Sequence, residues 1–272
     1  MPHALSIVYP KCPSNMDKSG MMQCPHLDMP KGWGHYYPAI KSEFITPSAH
    51  TIEGKQYDGE FTVYVMSDRG RGMTGVTNLV EIDTFERDNK HFNRVIAAFF
   101  GIYKENHAAC RKRRDRQREL RDNGMDGSNL TEPMIDYYQE PILNITTEYE
   151  RLLSHVRSKD DQMFNVFHHD IMTDIYFWAY QGSILEYPCY PIMNWRVMSK
   201  PMKLATRQLD ILKRMFFTNV DPKTCVLTSV HGEGGTVARP LESNKGVDLH
   251  KCDCTDFYSD KVRKDTGQRD CR

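Results

Sequence analysis

The sequence predicts a β-rich fold, because several segments carry strand patterns. Residues 60–65 are β-branched and aromatic, with the alternation typical of a strand. Residues 95–102 form a continuous apolar run, as expected of a strand buried on both faces. Residues 175–180 and 195–198 are further strand candidates on either side of a turn-rich segment. Together these segments predict one domain built on a sheet.

The remaining segments can be placed around this sheet. Residues 4–9 are a short strand candidate that ends at a proline. Residues 104–122 have the pattern of a charged helix, and residues 123–146 have that of a loop. Residues 206–217 have the pattern of an amphipathic helix with Thr206 as its N-cap. The apolar stripe of that helix consists of Leu209, Leu212, Met215 and Phe216.

We expect three parts along the chain. Residues 1–38 form a Cys- and Pro-rich segment that joins the sheet, and residues 39–242 form the β-rich domain. Residues 243–272 are a polar tail, which we expect to be held by disulfides rather than by a core.

The charge balance excludes several classes of protein. The 36 Lys and Arg residues match the 36 Asp and Glu residues, which disfavours a strongly basic nucleic-acid binder and an acidic solvating tail. The hydrophobic fraction of 39% is ample for a core. No apolar run approaches the roughly 18 residues that a membrane helix needs, so we expect no membrane span.

The cysteines and glycosylation sequons favour the secretory route. No C-x-x-C is present, so a zinc ribbon is disfavoured. Asn129 and Asn144 each begin an N-x-S/T sequon and are candidate glycosylation sites. We expect an extracellular or cell-surface protein whose leader is absent or already removed, with the lumen of an organelle such as a plastid as the alternative. The disulfide candidates are Cys12, Cys24, Cys110, Cys189, Cys225, Cys252, Cys254 and Cys271.

Six strings, in the same order along the chain, resemble segments of the α-type carbonic anhydrases. They are residues 48–55, 58–61, 98–102, 182–189, 195–202 and 237–241. Within the family the chain is most similar to secreted diatom and algal forms. The resemblance implies a mainly β fold, with a large central, mostly antiparallel sheet and short peripheral helices. It also implies that Cys189 pairs with Cys12 or Cys24. Separately from the resemblance, we expect Cys252, Cys254 and Cys271 to pair among themselves or with Cys225.

The residues that would form the family's zinc site differ here. The family activates water on Zn²⁺ held by three neutral imidazoles, two from an H-x-H pair on one strand and one from its neighbour. This sequence has no H-x-H. Counting from the matched segments, the pair falls on Lys41 and Glu43 and the third ligand on Thr62. A second way of aligning the chain with the family places the H-x-H pair at Pro30 and Gly32. Neither set predicts a zinc site.

The supporting positions also differ from those of the family. The Glu and Thr that orient the zinc-bound hydroxide correspond to Ala49 and Leu185, whose side chains neither donate nor accept hydrogen bonds. The two Val side chains of the CO₂ pocket correspond to Tyr64 and Phe99, so we expect a filled pocket. The Trp of the pocket wall is retained as Trp195.

No other cluster predicts a metal or cofactor site. His168, His169 and Asp170 are the densest group, but neighbouring residues on a strand point to opposite faces, so we expect a surface or loop His pair. We expect His50 to satisfy a buried hydrogen bond. The sequence predicts no cofactor, and zinc only if the enzyme is active.

Residues 111–121 are strongly basic. We interpret them as a solvated helix face with pairs at i,i+4 spacing, and a binding patch for an anionic glycan or acidic protein is the alternative. The basic residues are Arg111, Lys112, Arg113, Arg114, Arg116, Arg118 and Arg121.

Three functions are compatible with these observations. The first is a catalytically inactive carbonic-anhydrase-like protein that acts as a structural or binding module in an extracellular, surface or larger multi-protein assembly, with protein partners. The second is an active carbonate dehydratase whose zinc ligands have not been recognised. The third is a polyanion-binding module that uses residues 111–121.

Overall fold

The computed structural model describes residues 4–9, 25–27, 37–66, 73–123, 147–159, 165–229, 242 and 246–252. The strands are β1 Leu5–Val8, β2 His26–Leu27, β3 Tyr37–Ile45, β4 Thr51–Ile52, β5 Lys55–Gln56, β6 Gly59–Met66, β7 Met73–Ile82, β8 Phe177–Gly182, β9 Met193–Met198, β10 Met202–Leu204 and β11 His250–Cys252. The helices are α1 Phe92–Asp122, α2 Thr147–Lys159 and α3 Thr206–Thr218.

Nine of these strands form one sheet, which confirms the mainly β prediction. The strand order is β1-β3-β6-β7-β9-β8-β11, with β2 paired to β3 and β10 to β7. The ladders β3–β6, β6–β7, β8–β9 and β8–β11 are antiparallel, whereas β7 and β9 run parallel. The sheet is therefore mostly antiparallel, as expected.

Both terminal segments contribute strands to this sheet. β1 lies beside β3, and β11 pairs with β8 through the register His250 to Ala179 and Cys252 to Phe177. Backbone hydrogen bonding thus holds part of the tail, which we had expected disulfides to hold. The remaining tail cysteines, Cys254 and Cys271, lie outside the described residues.

The chain divides into two compact units. One contains the segments Ser6–Glu81, Asn165–Lys203 and Val237–Arg272, and it carries most of the sheet. The other contains Met1–Leu5, Ile82–Phe164 and Leu204–Thr236, and it carries the three helices.

The prediction of a strand at residues 95–102 is wrong, because this run is the first part of α1. Its buried residues continue at helical spacing through Tyr103, His107 and Cys110, while Ile102 is 53% exposed. A strand buried on both faces would leave no such exposed side chain. At 31 residues α1 is also much longer than the 13-residue helices α2 and α3.

Helix α3 forms as predicted, but with a different cap. Ala205 occupies the N-cap position, and its N–H donates to Gln208 Oε1 at 3.1 Å. Thr206 is the first helical residue, and its N–H and hydroxyl both donate to the Glu86 carboxylate, at 2.8 and 2.6 Å. The predicted stripe is buried, at Leu209, Leu212, Met215 and Phe216.

Candidate functional site

The antiparallel register of β3 and β6 brings the predicted site positions together. Glu43 lies opposite Thr62, and Lys41 lies opposite Tyr64. Directly opposed residues on paired strands project from the same face of a sheet. These four side chains therefore share one face, which we call the β3–β6 face.

Lys41 forms an ion-pair cluster on the β3–β6 face. Its Nζ lies 2.7 Å from Glu43 Oε1 and 2.6 Å from Glu186 Oε1, and 4.8 Å from the centre of the Tyr64 ring. Ser6 Oγ also donates to Glu43 Oε1, at 3.1 Å. Burial by itself would lower the pKa of Lys41, but the hydrogen bonds and charges of Glu186 and Glu43 outweigh it and raise the pKa. Lys41 is therefore an ammonium at neutral pH.

A second polar group on this face is centred on Glu60, which is fully buried. Glu60 Oε1 lies 2.8 Å from His50 Nδ1, and Oε2 accepts the backbone N–H groups of Ala49 and His50 at 3.0 and 2.9 Å. His50 Nε2 lies 2.7 Å from the Tyr180 hydroxyl. Burial would raise the pKa of Glu60, but the charge and hydrogen bonds of His50 outweigh it and lower the pKa. The expectation that His50 satisfies buried hydrogen bonds is confirmed.

Thr62 takes part in the same network. Its hydroxyl donates to Glu60 Oε1 at 3.2 Å and lies 2.8 Å from the hydroxyl of Thr77, the residue opposite it on β7. The Thr62 side chain is thus already engaged in buried hydrogen bonds.

Aromatic rings fill the neighbouring part of the face. Tyr64 packs edge-on against the buried Trp195, with ring centroids 6.1 Å apart, and Leu185 packs against this pair. The residue opposite Tyr64 on β7 is Gly75, where an added Cβ would lie 2.5 Å from the Trp195 ring. Burial, together with the nearby carboxylates, raises the pKa of Tyr64. The rings thus occupy the space that a side chain at Gly75 would need.

The expected role of Phe99 is wrong. Phe99 belongs to α1, in the helical unit, and the strand beside β6 is β7. The position facing Tyr64 is therefore Gly75, so of the two residues predicted to fill the pocket, Tyr64 lies on this face and Phe99 does not.

Lys41, Glu43 and Thr62 do not form a set of zinc ligands. Zinc in proteins is held by His, Cys or carboxylate ligands. Of Lys41, Glu43 and Thr62, only Glu43 has such a group, and an ammonium lies 2.7 Å from it. Ala49 contributes a backbone N–H to Glu60, and the Leu185 side chain packs in the core. The alternative positions Pro30 and Gly32 lie outside the described residues.

The sequence analysis missed Glu186, which is the second carboxylate bound to Lys41. Glu186 follows Leu185 directly in the segment that resembles the family. Its negative charge, close to the predicted site positions, was the signal in the sequence that could have pointed to it. Gly75 carries no side chain, and the sequence patterns did not point to it.

Other predicted residues lie elsewhere in the chain. Cys110 and Cys225 form a disulfide, so Cys225 does not pair with the tail. Cys189 is a thiol, while its expected partners Cys12 and Cys24, like Asn129 and Asn144, lie outside the described residues. The basic segment forms the second half of α1.

His168, His169 and Asp170 lie in a turn, not on a strand. The strand-based reason for separating their side chains therefore does not apply, and their ligand atoms all lie within 4.8 Å of one another. Among the described residues, no helix is long and apolar enough to cross a membrane.

Comparisons with known proteins give partial matches. Residues 135–236 match the family model of the eukaryotic-type carbonic anhydrases. A 75-residue segment is 29% identical to a nacrein-like protein of Mytilus californianus, covering 28% of this chain and 21% of that relative. The match thus spans about a fifth of the relative's length. Both matches are partial, and they show a similarity of residues 135–236 and of one 75-residue segment to these proteins.

A comparison with solved structures also found similar chains, each with a TM-score below 0.5. A carbonic anhydrase from a hydrothermal vent chimney gives a TM-score of 0.47 at 15% identity, covering 92% of this chain and 73% of that one. Dioscorin complexed with ascorbate gives 0.46 at 14% identity, covering 92% and 70%. The α-carbonic anhydrase of Thermovibrio ammonificans gives 0.45 at 14% identity, covering 91% and 70%.

Proposed function

We propose that this carbonic-anhydrase-like chain does not hydrate CO₂ and acts as a structural or binding module in an extracellular, surface or larger multi-protein assembly. The observation that carries the proposal is the Lys41 ammonium, held by Glu43 and Glu186 on the β3–β6 face.

The chemistry of the face supports the loss of hydratase activity. The reaction of the family needs a metal ion that lowers the pKa of a bound water. An ammonium at the ligand positions would repel a second cation, and both Glu43 and Thr62 already have hydrogen-bond partners. Trp195 and Tyr64 fill the adjoining space with rings. The face therefore has the character of a polar core.

The placement in an assembly outside the cytosol is supported more indirectly. The Cys110–Cys225 disulfide is compatible with an oxidising compartment, and so is the similarity to a nacrein-like protein. Glycosylation at Asn129 and Asn144, and protein partners, are parts of the same proposal.

Stopped-flow measurement of CO₂ hydration by the purified full chain with added Zn²⁺ tests the proposal. We expect the purified chain to hydrate CO₂ no faster than the uncatalysed reaction. An active carbonic anhydrase serves as the positive control. The assay measures activity rather than zinc content. Zinc can also bind outside the β3–β6 face, so bound zinc alone would not distinguish an active from an inactive protein. A rate well above the background that a chelator abolishes would instead establish the active dehydratase with unrecognised ligands.

A further inference from the structure

The turn that precedes β8 places three metal-binding side chains next to one another. His168, His169 and Asp170 are consecutive, and their ligand atoms all lie within 4.8 Å of one another. The two imidazole rings have centroids 4.1 Å apart. The turn belongs to the sheet unit, but none of the three residues takes part in the contacts described for the β3–β6 face.

The distances within this group are close to those that a metal ion imposes. Asp170 Oδ1 lies 3.3 Å from His169 Nε2, and Asp170 Oδ2 lies 3.5 Å from His168 Nδ1. With bonds of about 2.0–2.2 Å, two ligands of a tetrahedral zinc lie roughly 3.3–3.5 Å apart. Each carboxylate oxygen thus lies at such a distance from one ring nitrogen, and the three ligand atoms lie within 4.8 Å of one another.

One ring nitrogen of His168 accepts a hydrogen bond from the backbone. The backbone N–H of Asp170 donates to His168 Nδ1 at 3.2 Å, so the lone pair of this nitrogen points at that N–H. A metal needs the lone pair of a neutral imidazole. Coordination would replace one long hydrogen bond.

The backbone holds the turn in place. The N–H groups of Ile171 and Met172 both donate to His168 O at 2.8 Å, and His168 N–H donates to Asn165 O at 3.1 Å. Ile171 is fully buried, and the side-chain amide of Asn78 on β7 donates to Ile171 O. The sheet therefore anchors the turn, which lowers the entropy cost of assembling three ligands.

We propose that His168, His169 and Asp170 bind a divalent transition-metal ion of the Zn²⁺ type. Two imidazoles and one carboxylate suit zinc and its neighbours, whereas Ca²⁺ and Mg²⁺ take mainly oxygen ligands. The three side chains are 30%, 83% and 41% exposed, so the ion would reach them from solvent and keep at least one position for water or for a ligand from a partner.

Titration of the full chain with Co²⁺, followed by competition with Zn²⁺, tests this site. We expect the visible absorption of a nitrogen and oxygen ligand set, and His169→Ala and Asp170→Asn should each weaken binding by about tenfold or more. His250→Ala, which removes an exposed imidazole from β11, is the matched control and should leave the affinity unchanged.

Either of two results would contradict the proposal that these three residues bind a metal ion. One is an unchanged affinity in both ligand variants that keep the circular dichroism spectrum of the parent protein. The other is a thiolate-to-cobalt charge-transfer band, which would assign the ion to cysteines. The two variants test folding independently, since Asp170→Asn keeps the volume of the side chain. Neither result decides the hydration assay, which measures CO₂ turnover rather than metal binding at residues 168–170.

Discussion

At the scale of single residues, charge compensation decides what the β3–β6 face can do. Lys41 is 22% exposed and its partner Glu43 only 4% exposed, so the Glu43 carboxylate depends on Lys41 for its counter-charge. Leaving such a carboxylate without its cation costs more than losing an exposed ion pair.

Replacing Lys41 tests this dependence. We expect Lys41→Met to lower the free energy of unfolding by about 1–3 kcal/mol, since Glu43 keeps its desolvation penalty. Lys55→Met is the matched control, because Lys55 is 55% exposed in its pair with Glu81 and its loss should lower the free energy of unfolding much less. Urea unfolding at pH 7 measures both, and equal losses in the two variants would contradict the argument.

Asp83 gives the protein a pH-dependent contribution to stability. The Arg87 side chain, with help from the Arg87 backbone N–H, lowers the pKa of Asp83 to about 2 from its usual 3.8. A group whose pKa is lowered on folding stabilises the protein above its unfolded pKa, and this contribution is lost as the pH falls through the folded pKa. The stabilisation is therefore complete above about pH 4 and lost toward pH 2.

We expect Asp83→Asn to be less stable than the parent protein at pH 5 and to converge with it as the pH approaches 2. Urea unfolding at several pH values between these limits measures the difference. Asp122→Asn, at the exposed end of α1, is the control. A difference between Asp83→Asn and the parent that stays constant across this range would exclude the linkage.

At the scale of elements, the disulfide joins the middle of α1 to the segment that follows α3. Cys110 and Cys225 are 115 residues apart in the chain, and both pack against Val220. A link that closes so long a loop restricts the unfolded chain strongly.

Removing this link should destabilise the protein. We expect the Cys110→Ala, Cys225→Ala double variant to lose about 2–5 kcal/mol of unfolding free energy. Cys189→Ser, which removes the half-buried thiol, should behave like the parent protein. Reductant should lower the urea midpoint of the parent by more than that of the double variant, and equal shifts in the two proteins would contradict a stabilising role for this disulfide.

The second half of α1 carries the basic residues predicted from the sequence. Arg111, Lys112, Arg116, Arg118 and Arg121 are exposed, and so are Asp115, Glu119 and Asp122 between them. Arg114 pairs with Asp115 at 3.0 Å, and Arg113 donates to Lys223 O. The mixture of charges favours a solvated helix face.

At the scale of the whole molecule, the question is whether this segment binds a polyanion. We expect the full chain to elute from heparin at low salt, since the net charge of the protein is zero and acidic residues interrupt the segment. Salt-gradient elution of the parent protein and of the Arg116→Gln, Arg118→Gln variant measures this. Strong retention that this variant loses would establish the polyanion-binding function.

Sequence patterns determined much of this architecture. The alternation of residues 60–65 predicted β6, and the strand candidates at residues 175–180 and 195–198 predicted β8 and β9. A buried strand favours β-branched and aromatic side chains whichever strands it pairs with, so such segments can be recognised locally. The apolar stripe identified α3 for a similar reason. The absence of H-x-H and the positions Lys41, Glu43 and Thr62 also came from the sequence alone.

Only the tertiary structure decided the rest. A short apolar run fits a buried strand or a buried helix equally well. Residues 95–102 therefore predict a strand from the sequence, whereas the structure shows that they belong to helix α1. The pairing of Lys41 with Glu186 joins residues 145 positions apart, and no local pattern encodes such a contact. The convergence of His168, His169 and Asp170 likewise depends on a turn anchored by Asn78, because only the backbone conformation decides whether neighbouring side chains point together or apart.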